Sequence, residues 1–274
     1  MLAATPLGNV GDASARLREA LATADVIAAE DTRRVRDLAR HLQITLEGRV
    51  VALHDHNERD KAQDLVRAAA DGLTVVMVSD AGMPTISDPG FRVVQLAAQE
   101  GVTVTVLPGP SAVLTGLALS GLPTDRFCFE GFVPRKAGER ATMLDSLAVE
   151  ERTMVFFEAP HRLQPTLAAM ATAWGGDRQA AVSRELTKLY EHTERGTLDA
   201  LVAWAQRESP RGEMVLTVAG RPPQAASLES LVAEVQQRVA TGERSKDVVA
   251  DVATAAEVSS RVLYQAVLDA KGGS

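Results

Sequence analysis

Glu30, Asp31 and Arg33 stand together in the run Ala28-Ala-Glu-Asp-Thr-Arg-Arg34, and Asp80 stands in Val75-Val-Met-Val-Ser-Asp-Ala-Gly82, each just beyond a short apolar stretch. In open α/β sheets the carboxyl ends of strands are where ligands bind. A carboxylate placed there can take or orient a hydroxyl proton, and an arginine can hold a phosphate. Asp31 or Thr32 also suits the N-cap of a following helix; that accounts for one acidic residue and leaves Glu30 and Arg33 available for substrate orientation or proton removal. Asp80 is placed to meet a ligand amine or hydroxyl, because Gly82, Pro84, Pro89 and Gly90 let the backbone pass close.

The same pattern recurs. Residues 103–107 read as a strand, followed by Pro108-Gly-Pro-Ser-Ala112 and an apolar helical run over 113–119. Ser111 or Thr115 near that helix start can hold a carboxylate or hydroxyl through hydrogen bonds and roughly half a positive charge of helix dipole. Ala3-Ala-Thr-Pro-Leu-Gly-Asn-Val-Gly-Asp12 is a third glycine-bearing loop before a helix. Three such junctions suggest one ligand bed. Further along, Phe156-Phe-Glu-Ala-Pro-His-Arg162 and Val182-Ser-Arg-Glu-Leu-Thr-Lys188 are again strands ending in charge. Singly, each cluster reads as well as a structural ion pair; together they can face one cleft.

Other chemistries lose their signatures. No two glycines stand as G-x-G, and the P-loop, G-x-S-x-G and H-E-x-x-H patterns are missing. His54-Asp-His56 can offer two metal ligands, with Asp31, Asp55 or Asp80 completing a set, but a polar strand-to-loop junction is the favoured reading and no metal is expected.

The elements that must position these residues alternate through the first 120 positions. Amphipathic helical runs over 13–24, 32–42, 60–71 and 89–100 separate apolar strands over 26–29, 50–53, 74–78 and 103–107. That is a βα repetition and predicts a mostly parallel sheet. After the break at Gly121-Leu-Pro-Thr-Asp125, strands over 127–133, 153–158, 180–184 and 214–219 alternate with helices over 137–150, 161–174 and 198–206. The alternating stretch 188–195 reads as a hairpin, so this second domain should carry a mixed sheet. Arg221-Pro-Pro-Gln-Ala-Ala-Ser227 is a linker by composition, and three helices follow over 228–241, 245–256 and 259–270. The expected α/β organisation is a cofactor-loop domain over 1–120, a second αβ domain over 121–221, and a helical appendage over 228–274.

The chain has 274 residues, 46% hydrophobic and 24% charged, which suits a soluble globular protein with a substantial core. Cys128 is the single cysteine, so an internal disulfide is excluded and a reducing cytoplasm fits. No apolar run approaches membrane-spanning length, and no basic leader precedes Leu2-Ala-Ala-Thr-Pro6. A net charge of −7 argues against a general nucleic-acid coat. Local phosphate contact is still open to three basic clusters: Arg33, Arg34, Arg36 and Arg40; Arg135, Lys136 and Arg140; and Arg244, Lys246, Arg261 and Lys271.

In order and spacing, Ala4-Thr-Pro-Leu-Gly-Asn9, Ala28-Ala-Glu-Asp-Thr-Arg33, Leu53-His-Asp-His-Asn-Glu58, Val78-Ser-Asp-Ala-Gly82 with Ser87-Asp-Pro-Gly90, and Leu107-Pro-Gly-Pro-Ser-Ala112 resemble the small-subunit ribosomal RNA methyltransferase I family of the tetrapyrrole methylase superfamily. So do Leu122-Pro-Thr-Asp-Arg-Phe127, Glu130-Gly-Phe132, Glu158-Ala-Pro-His-Arg162, Arg184-Glu-Leu-Thr-Lys188 and the segment from Lys246 through Leu263-Tyr-Gln-Ala266. Two departures stand out: a first strand of only Met1 to Ala4, and Met83 where the family commonly has threonine.

The resemblance implies S-adenosylmethionine-dependent methylation of a cytidine ribose 2′-hydroxyl in the 16S rRNA of the small subunit, by a homodimer. It implies a cofactor bound by Pro6, Leu7, Asp80, Ala81, Gly82, Ile86, Pro108, Ser111 and Ala112 from the first domain, and by Phe157, Arg184 and Met214 from the second. Combined with the strand-end chemistry, this makes Glu30 or Asp31 the residue that orients or deprotonates the hydroxyl. Arg33 and Lys188 then hold adjacent phosphates or charge, and the tail residues Lys246, Arg261 and Tyr264 grip RNA or pack a helical hairpin. Methylation of a tetrapyrrole or other small metabolite is the nearest rival, since fold does not fix substrate. A non-catalytic RNA-binding or ribosome-assembly module that keeps a cofactor pocket is the rival from another class.

Overall fold

Val26–Ala29 is buried at every residue, as an apolar strand must be when helices cover both faces of its sheet. The structure, a computed structural model, describes residues 1–54, 56–222, 227–256 and 258–272. Leu2–Ala3 (β1), Val26–Ala29 (β2), Arg49–Ala52 (β3), Val75–Val78 (β4) and Val106–Leu107 (β5) form one sheet in the order β3-β2-β4-β1-β5, with every neighbouring pair parallel. All five carboxyl ends therefore lie along one edge.

Between and after these strands run Ala15–Thr23 (α1), Thr32–Leu42 (α2), Glu58–Ala70 (α3), Phe91–Gln99 (α4) and Ala112–Ser120 (α5). Several have the caps their sequences offer: Ser14 accepts from Leu17 N–H, Asp31 from Arg33 N–H, and Ser111 from Leu114 N–H. Leu17, Leu21, Ile27 and Val76 are fully buried in the core of this half.

The following half contains Phe127–Phe132 (β6), Ala137–Ser146 (α6), Thr153–Glu158 (β7), Leu163–Trp174 (α7), Gln179–Arg184 (β8), His192–Thr197 (β9), Leu198–Glu208 (α8) and Met214–Val218 (β10). Its sheet runs β6-β7-β10-β8-β9, parallel between β6 and β7 and antiparallel elsewhere, which is the mixed sheet expected. Met154, Phe156, Leu163, Leu167, Met170, Leu198 and Leu216 fill its core.

The two halves meet through α5, whose Gly116 allows close approach to β10. A Cβ added there would come within 2.5 Å of Val215. Leu7, Val113 and Leu117 from the first half pack with Val155, Leu186 and Val215 from the second, which makes a dry seam. These halves form one compact unit, Met1–Gly220.

From Arg221 onward the chain forms a separate unit. Leu228–Ala240 (α9), Ser245–Ala255 (α10) and Ser260–Gly272 (α11) each pack on the other two, around Leu231, Val235, Val248, Val252 and Leu263.

Some boundaries differ from the sequence reading for definable reasons. β5 holds only Val106–Leu107, because its partner β1 offers only Leu2 and Ala3 for pairing. Helix α4 starts at Phe91, since Gly90 has φ +126° and cannot be helical. Helix α3 begins two residues earlier than expected, and α6 ends at Ser146.

Candidate active site

The strand-end loops converge on a cavity of about 580 Å³. Loops after β1, β2, β4 and β5 contribute Leu7, Glu30, Asp80, Ala81, Gly82, Ile86, Ser111 and Ala112; the second half contributes Phe157, Lys188 and Met214. Parallel strands deliver the first group to one edge, and the α5 seam brings the second group against it. Thr5 and Gly82 exchange backbone hydrogen bonds of 2.9 and 3.0 Å, tying the β1 and β4 loops together.

Five other candidates lie elsewhere. Pro6 and Asp31 line a small neighbouring cavity of about 50 Å³. Arg33 closes back on Asp31 in a two-pronged pair, with its side chain 86% exposed. Hydrogen bonds from the Arg33 side chain and backbone hold the Asp31 carboxyl down at about 2, which makes it a poor proton acceptor. Pro108 lines neither cavity, and Arg184 faces a different groove.

Several further residues line the cavity that the sequence did not single out as site residues: Arg34, Ser87, Asp88, Phe132, Glu185 and Glu213. Asp88 is the most consequential. Burial, reinforced by the nearby Glu30 charge, pushes its carboxyl up to about 7, while a hydrogen bond from Ser79 works in the opposite direction. It also shares a hydrogen bond with Glu30. The only available signal was its place in Ser87-Asp-Pro-Gly90, a turn that holds any aspartate near the β4 strand end.

The remaining charges are anchored. Asp80 pairs with Arg34 at 3.3 Å and accepts from Asp31 N–H at 3.1 Å. Lys188 reaches Glu213 at 2.9 Å and Glu185 at 3.1 Å. Burial alone would lower the Lys188 pKa, but hydrogen bonds to Glu213 and Glu185 outweigh that and raise it, so the ammonium stays charged. Glu158 is locked from behind by Thr166 at 2.5 Å and Arg162 at 3.3 Å.

Backbone strain is concentrated around the cavity. Thr85, Ser87, Glu185 and Thr187 all hold positive φ without being glycine. Each costs on the order of 1–3 kcal/mol and persists only where surrounding contacts fix it. The opposite wall is aromatic: Phe157 meets Phe129 and Phe132 edge-on at 4.8 and 5.5 Å, and Phe132 is 56% exposed. Taken together, the cavity offers an apolar wall, an excess of carboxylates and the amino end of α5.

His54 and His56 sit edge to face at 6.1 Å, and Asp55 lies outside the described residues. Among the described residues no group of three or more His, Cys, Asp or Glu side chains is placed to hold a metal.

Known proteins resemble this chain at two levels. A family profile described as Tetrapyrrole (Corrin/Porphyrin) Methylases matches residues 1–202. A solved structure of the methyltransferase CobJ superposes with a TM-score of 0.59 at 23% identity, covering 80% of this chain and 92% of that one. A uroporphyrin-III C-methyl transferase from Thermus thermophilus, solved with S-adenyl homocysteine, gives 0.54 at 19% identity over 78% of this chain and 95% of that one. In sequence, a Mycobacterium tuberculosis (strain ATCC 25618 / H37Rv) protein named ribosomal RNA small subunit methyltransferase I is 53% identical over 272 residues, 99% of this chain and 95% of its own length. The solved structures share the fold; the mycobacterial protein shares sequence along nearly the whole chain. This chain belongs to the ribosomal RNA small subunit methyltransferase I family, on the tetrapyrrole methylase fold.

Proposed function

We propose that this protein transfers the methyl group of S-adenosylmethionine to the ribose 2′-hydroxyl of a cytidine in 16S rRNA, acting on the small ribosomal subunit in the cytoplasm. The observation that carries the reading is the 53% identity over 99% of the chain to a protein of that rRNA methyltransferase name. The solved methylases that share the fold cover 78–80% of this chain.

The cavity suits the cofactor. Its volume is within the roughly 300–1,000 Å³ usual for small-ligand sites. Leu7, Ala81, Ile86, Ala112, Phe157 and Met214 give an apolar lining, Asp80 can accept from a hydroxyl or ammonium, and free N–H groups at the start of α5 can meet a carboxylate. Carboxylates and phenyl faces both favour a cation. When bound, the cofactor supplies an electrophilic methyl on a positively charged sulfur.

The chain's own residues then hold the ribose oxygen in line and dispose of its proton. As the O–C bond forms, the O–H bond breaks and Glu30 accepts the proton into the hydrogen bond it shares with Asp88. Alignment can contribute roughly 7–11 kcal/mol and a general base about 10²–10⁴-fold, so positioning dominates. Lys188, fixed by two carboxylates, supplies a permanent positive charge at the rim. Arg33, exposed on α2 beside cavity-lining Arg34, meets RNA phosphate. Lys246, Arg261 and Tyr264 are exposed on the three-helix unit and grip RNA outside the cavity. The reading includes a homodimer, supported by the large apolar side chains Leu189 and Tyr190, left 88% and 69% exposed.

The test is competition for methyl label between small subunits and a tetrapyrrole. Label entering RNA supports the reading. Label entering only the tetrapyrrole overturns it.

A further inference from the structure

A second depression, of about 660 Å³, opens beside the active cavity and has the opposite electrical character. Trp204 and Arg207 of α8, His192 and Glu194 of β9, and the loop residue Arg211 wall it together with Arg184. The two hollows share a partition. Arg184 is paired directly with Met214 on β10 and with His192 on β9, so the three side chains lie in a row on one face of the sheet. Met214 lines the active cavity and His192 the groove. In sequence, Arg184 is followed by cavity-lining Glu185, and Arg211 by cavity-lining Gly212 and Glu213.

The groove's charges are unequally committed. Arg207 pairs with Glu208 at 3.0 Å, and His192, stacked near Trp204, bonds Glu194 at 3.0 Å. Among the described residues neither Arg184 nor Arg211 has an ion-pair partner. Arg184 is half-buried, where unused donors are costly unless an anion meets them, and Arg211 is exposed beside it; the planar fork of each matches phosphate oxygens. The active cavity is lined by Glu30, Asp80, Asp88, Glu185 and Glu213 against Arg34 and Lys188, so it repels phosphate.

We propose that the Arg184–Arg211 groove binds a backbone phosphate of the RNA strand whose ribose occupies the active cavity. This rests on the rRNA reading above. Any strand that inserts a 2′-hydroxyl carries a phosphate on each side of that ribose. The partition carries Arg184 and Arg211 next in sequence to cavity-lining Glu185 and Gly212, close enough to the cavity for one of those phosphates to reach them. The groove therefore sets the strand's path, and Arg184 serves RNA rather than cofactor.

The experiment compares full-length wild type with Arg184→Gln, Arg211→Gln and, as a charge-matched control on the exposed surface of α3, Arg67→Gln. KM for small subunits and its salt dependence are measured, with cofactor affinity determined separately by calorimetry. Each groove variant should raise the subunit KM about five- to tenfold and flatten the slope of log(kcat/KM) against log[salt] by about one, the signature of a lost phosphate contact. Arg211→Gln should bind cofactor as wild type does, and Arg67→Gln should match wild type throughout. Arg184→Lys should restore most of the salt slope. Wild-type KM and slope in Arg211→Gln, which lies on an exposed loop and does not threaten folding, would overturn the proposal. A wild-type enzyme that methylates no subunit RNA would instead overturn the rRNA reading on which it rests.

Discussion

Asp88 and Glu30 share a hydrogen bond across the active cavity, although they come from the β4 and β2 loops, 58 positions apart. Burial, with the nearby Glu30 and Asp80 charges, holds the Asp88 carboxyl up at about 7. Above that pH Asp88 has released its proton, which is the state the proposed proton path through Glu30 and Asp88 requires. Under saturating cofactor and RNA, kcat should rise from pH 6 to 8 through an apparent pKa near 7 and then level off. In Asp88→Asn that inflection should disappear. A flat wild-type profile, with chemistry verified as rate-limiting, would remove the pair from the proton path.

The same group links pH to stability with a definite sign. Folded Asp88 keeps a proton that the unfolded chain releases near pH 4, so its contribution to stability falls as pH rises from about 4 to about 7. Asp88→Asn should therefore be more stable than wild type at pH 8 by about 1 kcal/mol, a figure discounted for partial exposure, and should show no gain at pH 4. Urea denaturation at the two pH values checks both the sign and the window.

Glu30 and Asp31 are neighbours with different expected roles. Glu30→Gln should lower kcat about 10²–10⁴-fold with cofactor affinity nearly intact. Asp31→Asn, which removes a carboxylate already committed to Arg33, should cost less than about tenfold. Single-turnover methylation of subunits separates the two; equal losses would mean that the acidic pair acts as a unit.

Gly8 offers an indirect test of Lys188. A Cβ on Gly8 would come within 2.2 Å of Lys188 Cγ, a flexible side chain that can yield only by leaving Glu185 and Glu213. Gly8→Ala should fold, yet reproduce most of the activity loss of Lys188→Met. Circular dichroism paired with methylation rate reads both. Full activity in Gly8→Ala would show that Lys188 need not hold its observed position.

Glu58 fastens the loop that carries Asp80 and Asp88. Its buried carboxylate accepts from Gly90 N–H at 2.9 Å and Arg92 N–H at 2.8 Å, capping α4 where glycine has no side chain to do so. Glu58→Ala should destabilise the protein by about 2–4 kcal/mol by orphaning two donors. Cofactor affinity should fall alongside stability, and calorimetry with denaturant melts tests both.

The sequence was most informative where an element's ends carry their own signals. Thr32–Leu42 and Val26–Ala29 lie where periodicity, the Asp31 cap and an unbroken apolar run put them. It was least informative where a partner sets the limit: residues 103–105 have strand-like sequence, but β1 offers only two residues for β5 to pair with. The site was legible as a set of loops, since strand ends predict a shared edge. Which side chain turns inward was not. Arg184, expected beside the cofactor, is paired with Met214 and His192 in a row that reaches the neighbouring groove, a consequence of antiparallel register that local sequence does not encode. Asp88 stood in the Ser87-Asp-Pro-Gly90 turn, but its raised pKa was not legible there because it comes from burial beside Glu30, a long-range contact.

The most direct test of the account uses labelled S-adenosylmethionine and small ribosomal subunits from cells lacking this activity, with the label mapped by nuclease digestion and mass spectrometry. One methyl group on the ribose of a single cytidine in 16S rRNA is expected, abolished by Glu30→Gln. Label on a base, on another ribose, or absent while cofactor is demonstrably bound would contradict it.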